Sequence, residues 1–196
     1  MNRTAAKASG ITAFVRDLLA PLEARERPVI SARYGLTGAE PETLQAIGDH
    51  FRITRERVRQ LEAGSLKALR ARSSGGSALA SFTRTTERLL KESGGVQTEA
   101  ALMDGLKKAL GDQSLAAVFA NHATLLLELS GAARRFVDSA GVWHPHWYLS
   151  ETHRKRAHEF VRKAAAAFAR GRSEAFAAGE SGRVLATVAK TAGVPL

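Results

Sequence analysis

The chain has 196 residues, 29 Lys and Arg against 19 Asp and Glu, a formal charge of +10 and no cysteine. Without cysteine there are no disulfides, no thiolate metal sites and no cysteine nucleophile, while 44% apolar residues are enough for one large core or two small ones and argue against a wholly disordered chain. A pI near 10.6 favours a polyanionic partner, and nucleic acid is the commonest one for a basic protein.

Residues 1–13 read as a tail running into an amphipathic helix, with Ile11, Phe14, Val15, Leu18, Leu19 and Leu22 at helical spacing. A second helix is expected over Arg25–Tyr34, with Pro28 near its start and Gly35 as a left-handed C-cap. "TGAEPE" is turn chemistry, and Pro41 is expected to open a third helix through Leu44, Ile47 and Phe51. The short connection Arg52-Ile53-Thr54 leads into a fourth, N-capped by Thr54, with Val58, Leu61, Leu66 and Leu69 as its inner stripe. Two helices joined so closely, the second of them basic, make a helix-turn-helix.

Residues 73–81, within "RSSGGSALAS", read as a linker. A second unit follows over residues 82–150. Helices are expected at Phe82–Ser93, capped by Gly94-Gly95, then from Thr98 through Leu110, then over Gln113–Leu129. The large apolar residues of "RRFVDSAGVWHPHWYLS" alternate around Ala140-Gly141, which predicts one small β-hairpin. Three helices and a hairpin follow the order of a winged helix. A long Ala- and Arg-rich helix is expected over Glu151–Ala178, then a further amphipathic helix that stops at Leu196. The class is therefore mainly α: a helix-turn-helix domain, a winged-helix-like domain, and a long helix over residues 151–196. The apolar face of the last segment allows either a true chain end or the front of a longer protein.

The leading turns of the fourth helix carry the most informative chemistry. Arg55 and Arg59 lie four apart, on one side of a helix. Arg bonds bidentately to guanine, Gln reads adenine, and Glu accepts from the cytosine amino group. Glu56 amid arginines is poorly suited to plain phosphate binding, but it suits a base reader held in place by flanking cations. The competing interpretation is a solvated face of Arg–Glu pairs.

Taken together, "LEARERPVISARYGL" and "PETLQAIGDHFRITRERVRQLEAGSLKALR" resemble region four of bacterial sigma factors of the sigma-70 family, over about residues 14–72. The resemblance implies recognition of a promoter −35 element in the major groove, with Arg55, Glu56, Arg59 and Gln60 at base edges. It also implies Thr43, Leu44 and Arg57 at phosphates, and docking on the β flap of RNA polymerase. Gly64-Ser65 depart from the family pattern, and a helical Gly costs about 1 kcal/mol relative to Ala. No segment before Phe14 could supply the parts that hold polymerase and melt the −10 element, so a complete sigma factor is not expected.

His144, His146 and His153 raise the question of a zinc site, but neither carboxylate nor cysteine accompanies them, and Trp143, Trp147 and Tyr148 read as packing. His158 is assigned to the solvent face of the long helix, and the basic residues around it to solubility. No metal or other cofactor is expected. No phosphate loop, triad or carboxylate pair is present, so the chain is read as a non-enzyme. "MNRTAAKASGITAF" lacks the apolar run of a signal peptide, and no stretch approaches the roughly 18 apolar residues of a membrane helix. The expectation is a cytoplasmic, nucleoid-associated, sequence-specific transcription regulator with double-stranded DNA as partner, acting with or on RNA polymerase. The alternatives are a sigma mimic that binds the flap or another protein, and the DNA-targeting front of a longer enzyme. Oligomeric state, target promoters and the sense of regulation are not legible.

Overall fold

The computed structural model describes residues 10–73 and 76–170. Its helices are α1 (Ile11–Leu19), α2 (Glu26–Tyr34), α3 (Leu44–Phe51), α4 (Arg55–Ser73), α5 (Ser77–Glu92), α6 (Glu99–Leu110), α7 (Ala116–Ser130) and α8 (Glu151–Arg170). Three short strands, β1 (Val96–Thr98), β2 (Arg134–Phe136) and β3 (His146–Tyr148), form an antiparallel sheet in the order β1-β3-β2. The protein is mainly helical, as its periodicity implies. No helix among the described residues is long and apolar enough to cross a membrane. The final segment, expected to be helical, and the end of the long helix past Arg170 lie outside the described residues.

Two compact units emerge. The first takes residues 10–87 and 100–133, the second residues 88–99 and 134–170. In the first, α7 packs on α1, α2 and α4, burying Phe119, Ala123, Leu125, Leu126 and Leu127 completely or nearly so. α7 is apolar on most sides, and such a helix belongs in a core. A smaller cluster of Val29, Ile47 and Val58 joins α2, α3 and α4, with Leu44, Ile53 and Leu61 half-buried around it.

Hydrogen bonds across long sequence distances hold this unit together. Asp112, just before α7, accepts the Ile11 N–H at the start of α1 (2.8 Å) and the Ser114 N–H (2.8 Å). Burial opposes its charge, but hydrogen bonds from Ser114 and Ile11, aided by Lys107, hold the carboxyl below the usual range. The turn around Asp112 also explains why α7 begins at Ala116 rather than at Gln113, because the carboxylate captures the Ser114 N–H for a local turn. Asn121 of α7 donates to Gly35 O (2.9 Å) and Ala39 O (3.1 Å). Gly35 caps α2 at φ 62°, and a Cβ there would run into Ala39 O and the Asn121 amide. Only glycine fits on both counts.

Two local expectations need correction. α3 starts at Leu44, not at Pro41, because the Thr43 hydroxyl accepts the Ala46 N–H (3.2 Å) and serves as N-cap. Of residues 73–81, Ser73 ends α4 and Ser77–Ser81 form the first turn of α5. The Ser and Gly residues there suggested flexibility, but Leu79 and Phe82 are buried and draw the segment into helix.

In the second unit, β3 is central, pairing Val96 with Tyr148 on one side and Arg134 with Tyr148 on the other. The expected hairpin is present as β2–β3. Trp147 and Tyr148 are buried, as packing residues should be. β1 was not foreseen, since three residues between a glycine pair and a helix start show no alternation. Along the chain, α5, β1, α6, α7, β2 and β3 follow one another in winged-helix order.

Candidate nucleic-acid interface

The α3–α4 turn sets the geometry. Arg52 ends α3 in a left-handed conformation at φ 55°, and the Ile53 N–H returns to Gly48 O (2.9 Å). A Cβ on Gly48 would meet Ile53 O at 2.8 Å, so glycine lets the turn close this tightly. The Thr54 hydroxyl then accepts the Arg57 N–H (3.1 Å), capping α4 as its sequence suggests. Val58, Leu66 and Leu69 are buried and Leu61 is half-buried. From α2, Arg33 donates to Glu62 Oε1 (3.1 Å) and to Glu42 O (3.1 Å), bracing α4 from behind.

This anchoring leaves the opposite side of the leading turns open. Arg55, Glu56, Arg57, Arg59 and Gln60 are all exposed. Both arms of the Arg59 guanidinium bond the Glu56 carboxylate, Nε to Oε2 and Nη2 to Oε1, each at 2.8 Å. The Gln60 amide donates to Glu56 Oε1 at 3.3 Å and accepts from Arg57 Nη1 at 3.4 Å. These last two bonds are long and weak, so Gln60 can turn its amide elsewhere. Hydrogen bonds from Arg59 lead the effects that hold the Glu56 carboxyl below its ordinary range, and the charges of Arg59 and Arg55 add to them. Glu56 is thus an acceptor only, set among donors, and the group presents both hydrogen-bonding senses along one exposed helix face.

Thr43 and Leu44 stand at the N-terminus of α3, Thr43 exposed and Leu44 half-buried. Amides in a first helical turn lack intrahelical acceptors, and the helix dipole makes that end attractive to anions. Arg25 and Arg57 flank a groove of about 450 Å³, whose apolar wall includes Pro28, Phe51, Ile53 and Leu61. Sequence reasoning missed this groove, because its walls come from three separate helices and two connections.

Residues 18–71 match the family Sigma-70, region 4. Over 66 residues the chain is 46% identical to the RNA polymerase principal sigma factor HrdC of Streptomyces coelicolor, covering 34% of this chain and 20% of that protein. It is 50% identical over 56 residues to the RNA polymerase sigma factor SigA of a Nostoc species, covering 29% of this chain and 14% of the relative. With SigA1 of Synechococcus elongatus it shares 49% over 53 residues, 27% and 13% of the two chains. The similarity therefore spans no more than 20% of the length of these relatives. The region 4 segment coincides with α2–α4 and the end of α1, the part that carries the exposed Glu56 group.

Among the described residues, no three His, Asp or Glu side chains converge as a metal-binding set. His158 is not on the solvent face of α8. Its ring stacks on Trp143 with centroids 4.0 Å apart, and its Nε2 lies 3.1 Å from His146 Nε2. One turn of helix between Arg154 and His158 brings it onto the hairpin side, which the alternating charges of α8 had concealed.

Proposed function

We propose that the region 4 segment binds double-stranded DNA in a transcription role, reading −35-like sequence with the leading turns of α4 in the major groove. Arg55, Glu56, Arg59 and Gln60 meet base edges; Arg57 and the α3 N-terminus at Thr43 and Leu44 hold the phosphates. The observation that carries this reading is the exposed Arg59–Glu56–Gln60 group on a helix anchored from behind by Val58, Leu66 and Leu69. An exposed ion pair contributes little by itself, so Arg59 can exchange Glu56 for a guanine at small cost. Glu56 then accepts from a cytosine amino group or disfavours the wrong base. The role is one of binding, not catalysis, in the cytoplasm of a bacterium.

The match of residues 18–71 to Sigma-70, region 4 and the Pro28–Phe51–Leu61 groove support a second partner, the β flap of RNA polymerase. The chain acts with or on polymerase. Selection from a randomised −35-like duplex library tests the DNA reading. Glu56→Ala and Gln60→Ala should each relax preference at one position by roughly 5- to 150-fold. If both variants select the parent's sequences unchanged, base reading by α4 is wrong. Flap binding without DNA that is insensitive to Arg59→Ala would then favour a protein-interaction module.

A further inference from the structure

We propose that His146 and His158 form a one-proton latch fastening the β2–β3 hairpin to α8, closed at neutral pH and opened by mild acid. It is independent of the DNA reading of α4.

The proton inventory follows from three contacts. His146, on β3 and only 6% exposed, places Nδ1 2.8 Å from the backbone carbonyl of His144. A carbonyl only accepts, so Nδ1 carries the hydrogen and the Nε2 of the neutral ring is bare. His158 Nε2 stands 3.1 Å from that nitrogen. Only one hydrogen fits between them, so His158 donates and His146 accepts. The His158 ring is held for this by the face of Trp143 at 4.0 Å and an edge contact with Phe136 at 5.2 Å.

The two sites that can take up a further proton have opposite effects. A proton on His158 Nδ1 leaves the Nε2–H···Nε2 bond intact and makes it charge-assisted, with the cation stacked on Trp143. Once His158 is charged, a proton on His146 Nε2 sets two N–H groups and two cations face to face, and the bond is lost. Because one hydrogen serves both rings, a first proton is accommodated and a second opens the bond.

The surrounding charges decide how hard each step is. Burial, then His146, Arg154 and Arg162, keep His158 below the ordinary imidazole value, opposed by Asp138 from the hairpin connection. Lys91 of α5, Arg156 and His153 of α8 and His144 of the hairpin line the cavity of about 640 Å³ beside the pair. On the remaining side, Glu151 is engaged by the Tyr148 hydroxyl at 2.6 Å and by Arg154 at 2.8 Å. The balance is cationic, so the folded unit resists a second positive charge. Between the unfolded histidine value of about 6.5 and the lower folded value of His158, the unfolded chain binds more protons, so stability falls as pH falls. What opens is the connection over residues 137–145, whose Ala140, Val142 and Trp143 N–H groups are gathered by the Asp138 carboxylate.

The test is ring-nitrogen NMR and amide hydrogen exchange on the full chain, from pH 7.5 to pH 4.5. His146 should be the Nδ1–H tautomer at pH 7.5. Exchange over 137–145, corrected for the intrinsic rate, should rise by roughly tenfold on acidification while α7 stays protected. His146→Gln keeps an acceptor that cannot be protonated, and His158→Phe keeps the stack on Trp143. Either variant should lose the acid step. Two rings that titrate independently with unchanged hairpin exchange would overturn the latch, as would an acid step that persists in either variant that folds. If neither variant folds, the tautomer and the exchange profile of the parent still decide.

Discussion

α4 and α7 each follow a shorter helix across a brief connection, and each stands last among the helices of its motif. α4 turns Arg55, Glu56, Arg59 and Gln60 to solvent and buries only its rear stripe. α7 contains no Lys or Arg, and it buries Phe119, His122, Ala123, Leu125, Leu126, Leu127 and Leu129 against α1, α2 and α4. The position of a helix in a motif does not by itself make it a reader of DNA. A helix can enter a groove only if its fold is anchored by one face and leaves another free. α7 has no such free face and supports the helix that does.

The contrast can be broken most severely at Phe119, which is fully buried. Phe119→Ala should destabilise the first unit by about 3–5 kcal/mol through lost contacts and a residual cavity. Chemical denaturation would measure this, and a loss below about 1 kcal/mol would mean that α7 is not core.

A smaller effect is expected at Asp112, which ties the approach to α7 to the start of α1. Asp112→Ala should cost about 1–2 kcal/mol as a lost cap. The Asp112 carboxyl is held below its ordinary value, so its contribution is full above the unfolded value of about 3.9 and is lost as pH falls through the lower folded one. Stability curves of parent and variant should therefore converge only in strong acid, and parallel curves down to pH 2 would contradict the assignment.

The smallest change sharpens the other side of the comparison. Gly64 lies on the exposed side of α4, with open space where a Cβ would go. Gly64→Ala should add about 0.5–1 kcal/mol of stability and leave sequence preference unaltered. Altered preference would show that the exposed face of α4 is more tightly coupled than it looks.

Much of the first unit was legible in the residues. Thr54 as N-cap, Gly35 as left-handed C-cap and the Val58–Leu66–Leu69 stripe are signals confined to a turn or two, and the structure has each where its chemistry puts it. The hairpin was legible because Trp147 and Tyr148 lie in a run of large apolar residues around a glycine turn. Ser77–Ser81 misled because they follow directly on a Ser/Gly run with weak intrinsic preference, and burial of Leu79 and Phe82 decides their state. His158 misled for a related reason: its neighbours in sequence are charged, but its neighbours in space are Trp143, Phe136 and His146.

Sequence alone determined part of the local grammar of the molecule: the caps at Thr54 and Gly35, which face of α4 is polar, and that the front of that face has hydrogen-bonding groups of both senses. Only the tertiary structure decided that Asp112 caps a helix 101 residues away, that α7 serves the core of the region 4 segment, and that two imidazoles 12 residues apart meet at 3.1 Å. Caps and stripes depend on residues within a few positions of each other, whose spacing the chain dictates. Long-range pairs depend on which buried surfaces meet, and that is settled only when the whole apolar content of the chain is packed at once.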